Sequence, residues 1–159
     1  MSTPASVAKH PIHPILVALP IGLWVFSVVA DLCFQFGWGR TVWKDVAFYT
    51  LGGGIVGALL AAIPGFIDFL SITDARARRA GIVHLTANLA AVVIFAMSFW
   101  LRWVDTVGFL PAAFSIFGLV ALGIGGWFGG ELVFVHNMGV TPARAASRSK
   151  PSRSERRIA

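Results

Sequence analysis

Four long apolar runs decide what this chain can fold into. They are almost free of charged side chains and occupy residues 15–36, 46–67, 82–101 and 109–130. About twenty residues of helix cross the hydrocarbon of a bilayer, and a crossing segment must satisfy its own backbone hydrogen bonds. The sequence therefore predicts an all-α integral membrane four-helix bundle, with spans at about 15–36, 46–69, 82–103 and 109–135.

Composition supports the membrane class. The chain is 57% hydrophobic and 13% charged, about half the charged share of a soluble domain. The single cysteine, Cys33, cannot form an internal disulfide, and we interpret it as a buried, inert thiol. Residues 1–9 are predicted to be disordered and residues 10–140 to form the transmembrane domain. Residues 141–159 are predicted to be a basic, disordered cytoplasmic tail.

Basic residues predict the orientation. Four spans place the N-terminus, the loop at 71–80 and the tail on one side. That side carries Lys9, Arg76, Arg78, Arg79, Arg144, Arg148, Lys150, Arg153, Arg156 and Arg157. The other side carries only Arg40, Lys44 and Arg102. The positive-inside rule then places both termini in the cytoplasm, and an aromatic belt is expected at the outer ends, from Trp38, Trp43, Trp100 and Trp103.

Prolines and glycines predict tight helix packing. Pro20 and Pro64 lie inside the first two spans and are expected to kink them. Small residues four positions apart let helices approach closely, and the pairs are Gly53/Gly57, Gly125/Gly129 and Gly126/Gly130. We favour packing over a pocket for a flat cofactor, and these faces would equally suit a homodimer.

Six ionisable groups from all four spans are predicted at one membrane face. They are His10, His13, Asp68, His84, Glu131 and His136. Such groups are costly in hydrocarbon, so they usually face the bundle interior and mark function. Asn88, four residues after His84, shares its helix face. We take all six as candidate metal ligands, and His13, His84 and His136 as candidate haem ligands.

A weak internal repeat accompanies this group. One hairpin runs from His13 to Asp68 and the next from His84 to Glu131, so each opens with a histidine and closes with a carboxylate. This pattern predicts a two-hairpin pseudo-repeat about the membrane normal.

Structural roles compete with each candidate. His10 could be an ordinary interfacial side chain, and His13 with its proline could start a helix. Asp68 could cap the second helix or pair with a loop arginine. Asp31 near the outer interface is expected to pair with Arg102 or Lys44 rather than to act in catalysis.

The motifs resemble a known family. They comprise His-Pro-x-His-Pro at 10–14, Asp31, Pro-Gly-x-x-Asp at 64–68, His84, and Gly-Gly-Glu-Leu-Val-x-x-His at 129–136. Together they are similar to the bacterial multi-pass membrane protein family catalogued as domain of unknown function 2231. The resemblance covers about residues 10–140 and implies a location in the bacterial inner membrane but no established activity. The family commonly continues His-Gly-Val-Gly-Val after the fourth span, whereas this chain has Asn137 and Met138 after His136.

Three functions remain open. The favoured one is haem b or a transition metal ion at the His/carboxylate group, in electron transfer or redox sensing with a partner protein. Proton-linked transport is less favoured because the middle of the bilayer lacks relay residues. A structural subunit whose polar group staples the helix ends is the third.

An enzyme is not favoured, since the sequence shows no nucleophile–base pair, phosphate loop or soluble catalytic domain. The basic tail is expected to bind anionic lipid rather than nucleic acid.

Overall fold

Four antiparallel helices build the molecule. The computed structural model describes residues 3–8, 10–39, 41–106 and 108–140. The long helices are α2 (Ala18–Gln35), α3 (Val42–Leu70), α4 (Ala75–Trp103) and α5 (Leu110–Phe134), and the short helix α1 (Ile12–Leu16) leads directly into α2. Within the described residues, four segments are long and apolar enough to cross a membrane: Ile12–Gln35, Val42–Leu70, Ala75–Trp103 and Leu110–Phe134. The all-α four-span bundle is therefore confirmed.

The break between α1 and α2 follows from Pro20. A proline ring displaces the carbonyl four residues earlier, which here belongs to Leu16, the last residue of α1. The chain keeps helical backbone angles at Val17, so the first span is continuous across the break between α1 and α2. Pro64, by contrast, lies inside an uninterrupted α3.

The first residues fold back over one end of the bundle. Strand β1 (Ser6–Val7) pairs antiparallel with β2 (His10–Pro11), and the Ala5 N–H donates to an Asp68 carboxylate oxygen at 2.9 Å. The backbone of residues 3–8 thus supplies a donor to the buried carboxylate at the end of α3; the disorder predicted for residues 1–9 stays a prediction. The predicted basic tail, 141–159, lies outside the described residues.

The helices pair into two hairpins. Helix α2 packs mainly against α3, and α4 mainly against α5, with fewer contacts between the hairpins. Matching polar contacts join the two helices of each hairpin at the end away from the N-terminal strands. Ser27 Oγ donates to the Ala47 carbonyl at 2.8 Å, and Ser98 Oγ donates to the Pro111 carbonyl at 2.7 Å.

These contacts set the register of an internal repeat. Ser27 and Ser98 lie 71 positions apart on the first helix of each hairpin, and Ala47 and Pro111 lie 64 positions apart on the second. The same two offsets relate the remaining equivalent contacts described below.

The core joins equivalent residues of the two repeats. Trp24 and Phe95, also 71 positions apart, stack with ring centroids 4.2 Å apart and are almost fully buried. Each ring lies against a glycine of its own hairpin, Trp24 against Gly54 and Phe95 against Gly118. Those glycines are again 64 positions apart.

A buried ion pair joins the hairpins at the end away from the N-terminal strands. Arg102 donates from both terminal nitrogens to the two carboxylate oxygens of Asp31, at 2.7 Å each. The arginine also reaches Ser115 Oγ at 3.2 Å. The prediction that Asp31 pairs with Arg102 or Lys44 is confirmed for Arg102. The two partners are once more 71 positions apart.

Candidate functional site

His13 enters the bundle at the first turn of α1. Its Nδ1 lies 2.8 Å from the Ala61 carbonyl of α3. The ring fits because α3 has glycine one turn further on: a Cβ at Gly65 would lie 2.6 Å from that same nitrogen. The local sequence of α3 therefore fixes both the position and the orientation of the imidazole.

His84 repeats this arrangement in the second hairpin. Its Nδ1 lies 2.8 Å from the Gly125 carbonyl of α5, and a Cβ at Gly129 would lie 2.9 Å from the ring. Asn88, one turn along α4, donates from its amide to the His84 carbonyl at 2.7 Å. The offsets are again 71 for the histidines and 64 for the carbonyl and glycine partners.

The two histidines meet between the hairpins. Their ring centroids are 6.0 Å apart and the ring planes are nearly perpendicular. Both side chains are half-buried. We call the end of the bundle that holds His13 and His84 the histidine end, and the end that holds Asp31 and Arg102 the ion-pair end.

The hydrogen bonds determine which nitrogen can bind a ligand. A carbonyl oxygen only accepts, so each Nδ1 carries the proton and donates it. In the neutral ring Nε2 then holds a free lone pair. Within the described residues, no hydrogen bond reaches Nε2 of either histidine. In metal-binding histidines the ring nitrogen that does not bind the metal usually donates its proton to a carbonyl, a carboxylate or a water, as Nδ1 does in both rings here.

The other four predicted ligands lie apart from this pair. His10 is exposed and its Nδ1 contacts the Ala8 carbonyl at 2.9 Å. Asp68 is buried and accepts the Ala5 N–H. Glu131 and His136 face each other at 3.8 Å. Across the ranges 3–8, 10–39, 41–106 and 108–140, no three His, Cys, Asp or Glu side chains are grouped closely enough to hold a metal ion.

Asp74 shapes the electrostatics beside this end. Its carboxylate caps α4 by accepting the Ala77 N–H at 2.8 Å and the Arg76 N–H at 3.0 Å. The bond from Ala77 contributes most to lowering the pKa of this carboxyl below its ordinary value of 3.8. Desolvation opposes the shift, and the charges of His136 and Arg76 add to it. Asp74 therefore stays ionised where the chain turns between hairpins.

Residues 9–142 match the family described as predicted membrane protein (DUF2231). The chain belongs to this family. The match covers both hairpins and every candidate ligand discussed above. No curated protein and no solved structure matches the chain.

The partners that orient His13 and His84 were missed by sequence reasoning. A backbone carbonyl leaves no trace in residue identity, so Ala61 and Gly125 could not be singled out. Spacing did carry a usable signal. Gly54 and Gly65 are 11 residues apart, as are Gly118 and Gly129. His13 precedes Ser27 by 14 residues, and His84 precedes Ser98 by the same number.

The repeat also corrects one detail of the predicted pattern. In the structural register Asp68 corresponds to Leu132 and not to Glu131, since the offset on the second helix is 64. The histidines are equivalent; the carboxylates are one residue out of register. The symmetric part of the candidate site is thus the imidazole pair alone.

Proposed function

We propose that this multi-pass protein of the bacterial inner membrane holds a transition metal ion at His13 and His84 and acts in electron transfer or redox sensing. The observation that carries the proposal is the meeting of two imidazoles whose Nδ1 protons are both given to backbone carbonyls. This leaves an Nε2 lone pair free on each of two neighbouring rings, and imidazole nitrogen suits zinc, copper, iron and nickel.

Haem b is the less favoured form of the same proposal. Two imidazoles from different helices would suit its iron, but the macrocycle also needs a flat slot. The space beside the glycines that could form such a slot is already occupied by side chains of the protein. His13 lies against Gly65, His84 against Gly129 and Asn88 against Gly125. His136 contacts Glu131 and is therefore a poorer partner for His84 than His13 is.

A structural role is the second candidate, and the inter-hairpin contacts favour it. The histidines, the Trp24–Phe95 stack and the Asp31–Arg102 pair each join one hairpin to the other. The imidazoles would then be one more link. Proton-linked transport is less favoured, because the aromatic stack fills the space between the two polar ends.

A redox partner protein, anionic lipid at the tail 141–159 and a homodimer belong to the proposal as partners. The proposal also includes the orientation: both termini and the histidine end lie on the cytoplasmic side.

The deciding experiment is elemental analysis and a visible absorption spectrum of detergent-purified, natively expressed protein. We expect one metal ion per chain and no Soret band. His13→Ala and His84→Ala should each remove the metal, whereas His10→Ala, at an exposed histidine of the same end, should not. A Soret band abolished by His84→Ala would move the assignment to haem. Absence of both cofactors, with a lowered thermal midpoint in the two variants, would leave the structural role.

A further inference from the structure

We infer that the His13/His84 pair selects a univalent d¹⁰ ion, copper(I), held in near-linear two-coordination between the two repeats. This inference rests on the proposed metal site and adds the identity and geometry of the ion. Of the two roles proposed, it fits redox sensing and not electron transfer, because a site selective for a univalent ion would not hold copper(II). The inference follows from three properties of the pair. The two imidazoles occupy equivalent positions, no free carboxylate accompanies them among the described residues, and the rings lie at a distance that suits a shared ion.

Equivalence comes from the repeat. Each imidazole donates to a carbonyl at 2.8 Å, and those carbonyls belong to equivalent residues, Ala61 and Gly125. Each ring also lies against an equivalent glycine, Gly65 or Gly129. The Asn88 amide also lies 3.3 Å from the His84 Nδ1, so the two donors are alike but not identical. An ion between the repeats would meet two imidazoles with matching backbone supports. Linear two-coordination by two like donors is a geometry that copper(I) accepts and zinc(II) does not, since zinc sites are almost always tetrahedral.

Neutrality favours a single charge. Among the described residues the two predicted carboxylate ligands have other partners: Asp68 accepts the Ala5 N–H and Glu131 faces His136. The ion would thus bring its full charge into a half-buried site at the end of four apolar helices. The cost of desolvating an ion rises with the square of its charge, so a univalent ion costs far less than a divalent one.

Separation fits a shared ion. Metal–nitrogen bonds of about 2.0 Å, with about 1.1 Å from each nitrogen to its ring centre, place the centroids of a linear pair about 6 Å apart. The observed centroid separation is 6.0 Å, which leaves room for a shared ion once both Nε2 atoms face it. Perpendicular ring planes are compatible with linear coordination, because the rings can twist independently about the N–metal–N line.

The test is an anaerobic titration of the full chain in detergent with copper(I), against a competing chelator, and separately with zinc(II) and nickel(II). We expect one copper(I) per chain, bound at least about 100-fold more tightly than zinc(II). His13→Ala and His84→Ala should lose affinity equally, by at least about tenfold. X-ray absorption of the copper form should show two nitrogen ligands at about 2 Å and no others.

A methionine variant guards against loss of folding. His84→Met keeps a side chain of similar bulk and a thioether, a soft ligand that binds copper(I) but not zinc(II). We expect it to retain copper(I) binding and the thermal midpoint, while His10→Met changes neither.

The outcomes distinguish a failure of the copper(I) inference from a failure of the proposed metal site. Zinc(II) bound as tightly as copper(I), still through both histidines, would overturn the selectivity and leave the metal site standing. Copper(I) that depends on only one of the two histidines would overturn the two-coordinate geometry. No metal bound through either histidine would overturn both this inference and the proposed function.

Discussion

The Asp31–Arg102 pair shows how replacing a single residue can lower the stability of the whole bundle. Their side chains are 9% and 12% exposed, and the guanidinium makes a two-pronged contact with the carboxylate. A buried pair of this kind adds little over an apolar pair of the same shape, but breaking it leaves one uncompensated charge. The pair therefore matters chiefly through what its loss exposes.

We predict that Arg102→Ala destabilises the protein by about 3–5 kcal/mol, because Asp31 remains buried without a counter-charge. The exchange Asp31→Arg with Arg102→Asp should recover part of the loss, since the two positions are equivalent in the repeat. Thermal unfolding in detergent measures both. Lys44→Ala is the control: this cation lies over the Phe34 ring at the same end and should matter little. An exchange variant no better than Arg102→Ala would contradict the equivalence.

Helix packing at the element scale depends on which glycines face a neighbour. On α5, a Cβ at Gly118 would lie 2.8 Å from the Phe95 ring, whereas a Cβ at Gly126 would meet nothing within 4 Å. The Phe95 ring cannot retreat, because it is stacked on Trp24. Two glycines of one helix thus have opposite roles, one packing a ring and the other facing outward.

We predict that Gly118→Ala lowers the free energy of unfolding by about 1–3 kcal/mol through overpacking. Gly126→Ala should cause no loss, since alanine is the better helix former. The thermal midpoints of the two variants, made in the same helix, provide the comparison. Equal midpoints would show that the Trp24–Phe95 stack can move aside.

The start of α4 should respond to pH through Asp74. Because its pKa is lowered in the folded protein, its contribution to stability is present above its ordinary value of 3.8 and is lost as pH falls through the lowered folded value. We predict that Asp74→Ala is less stable than the native chain at neutral pH, and that the difference shrinks on acidification. Asp74→Asn keeps a capping oxygen and should stay above the alanine variant throughout. A difference independent of pH would contradict this role.

At the scale of the whole molecule, the two hairpins behave as separate packing units. Each is held mainly by contacts within itself, and the fewer links between them are the equivalent pairs and stacked rings such as Phe48 and Phe99. Regions with fewer shared contacts separate at a lower free energy than the units they join. The loop after α3, at residues 71–74, is therefore the natural boundary for partial unfolding.

We predict that mechanical extraction from a bilayer, pulled from the C-terminus, pauses once residues 75–140 have been released. Asp31→Asn should lower the force of that first step, because it weakens a link between the hairpins, and should leave the second step unchanged. Extraction helix by helix with no pause at 71–74 would argue against two units.

Much of the architecture could be predicted because hydropathy acts on whole segments. The four spans follow from run length, and the ion pair follows from placing Asp31 and Arg102 at the same end. The N-terminal strands could not be foreseen, since residues 3–8 are small, show no hydropathy pattern and contact an acceptor distant in sequence, Asp68.

The site was only partly predictable for a similar reason. Depth along the helices placed six ionisable groups at one end, but depth says nothing about rotation about a helix axis. The structure rotates His13 and His84 toward each other and leaves Glu131 with His136. Each imidazole packs where the neighbouring helix has glycine, against Gly65 for His13 and against Gly129 for His84.

The equivalence of Asp31 and Arg102 has a consequence for how such a fold can arise. In a dimer of two identical hairpins, this position would carry the same residue twice across the axis, and two aspartates or two arginines would repel each other. Joining the hairpins in one chain lets the two copies diverge, so that opposite charges can occupy matching positions. The same divergence guards against mispairing, because the first hairpins of two different chains would bring aspartate against aspartate in the membrane.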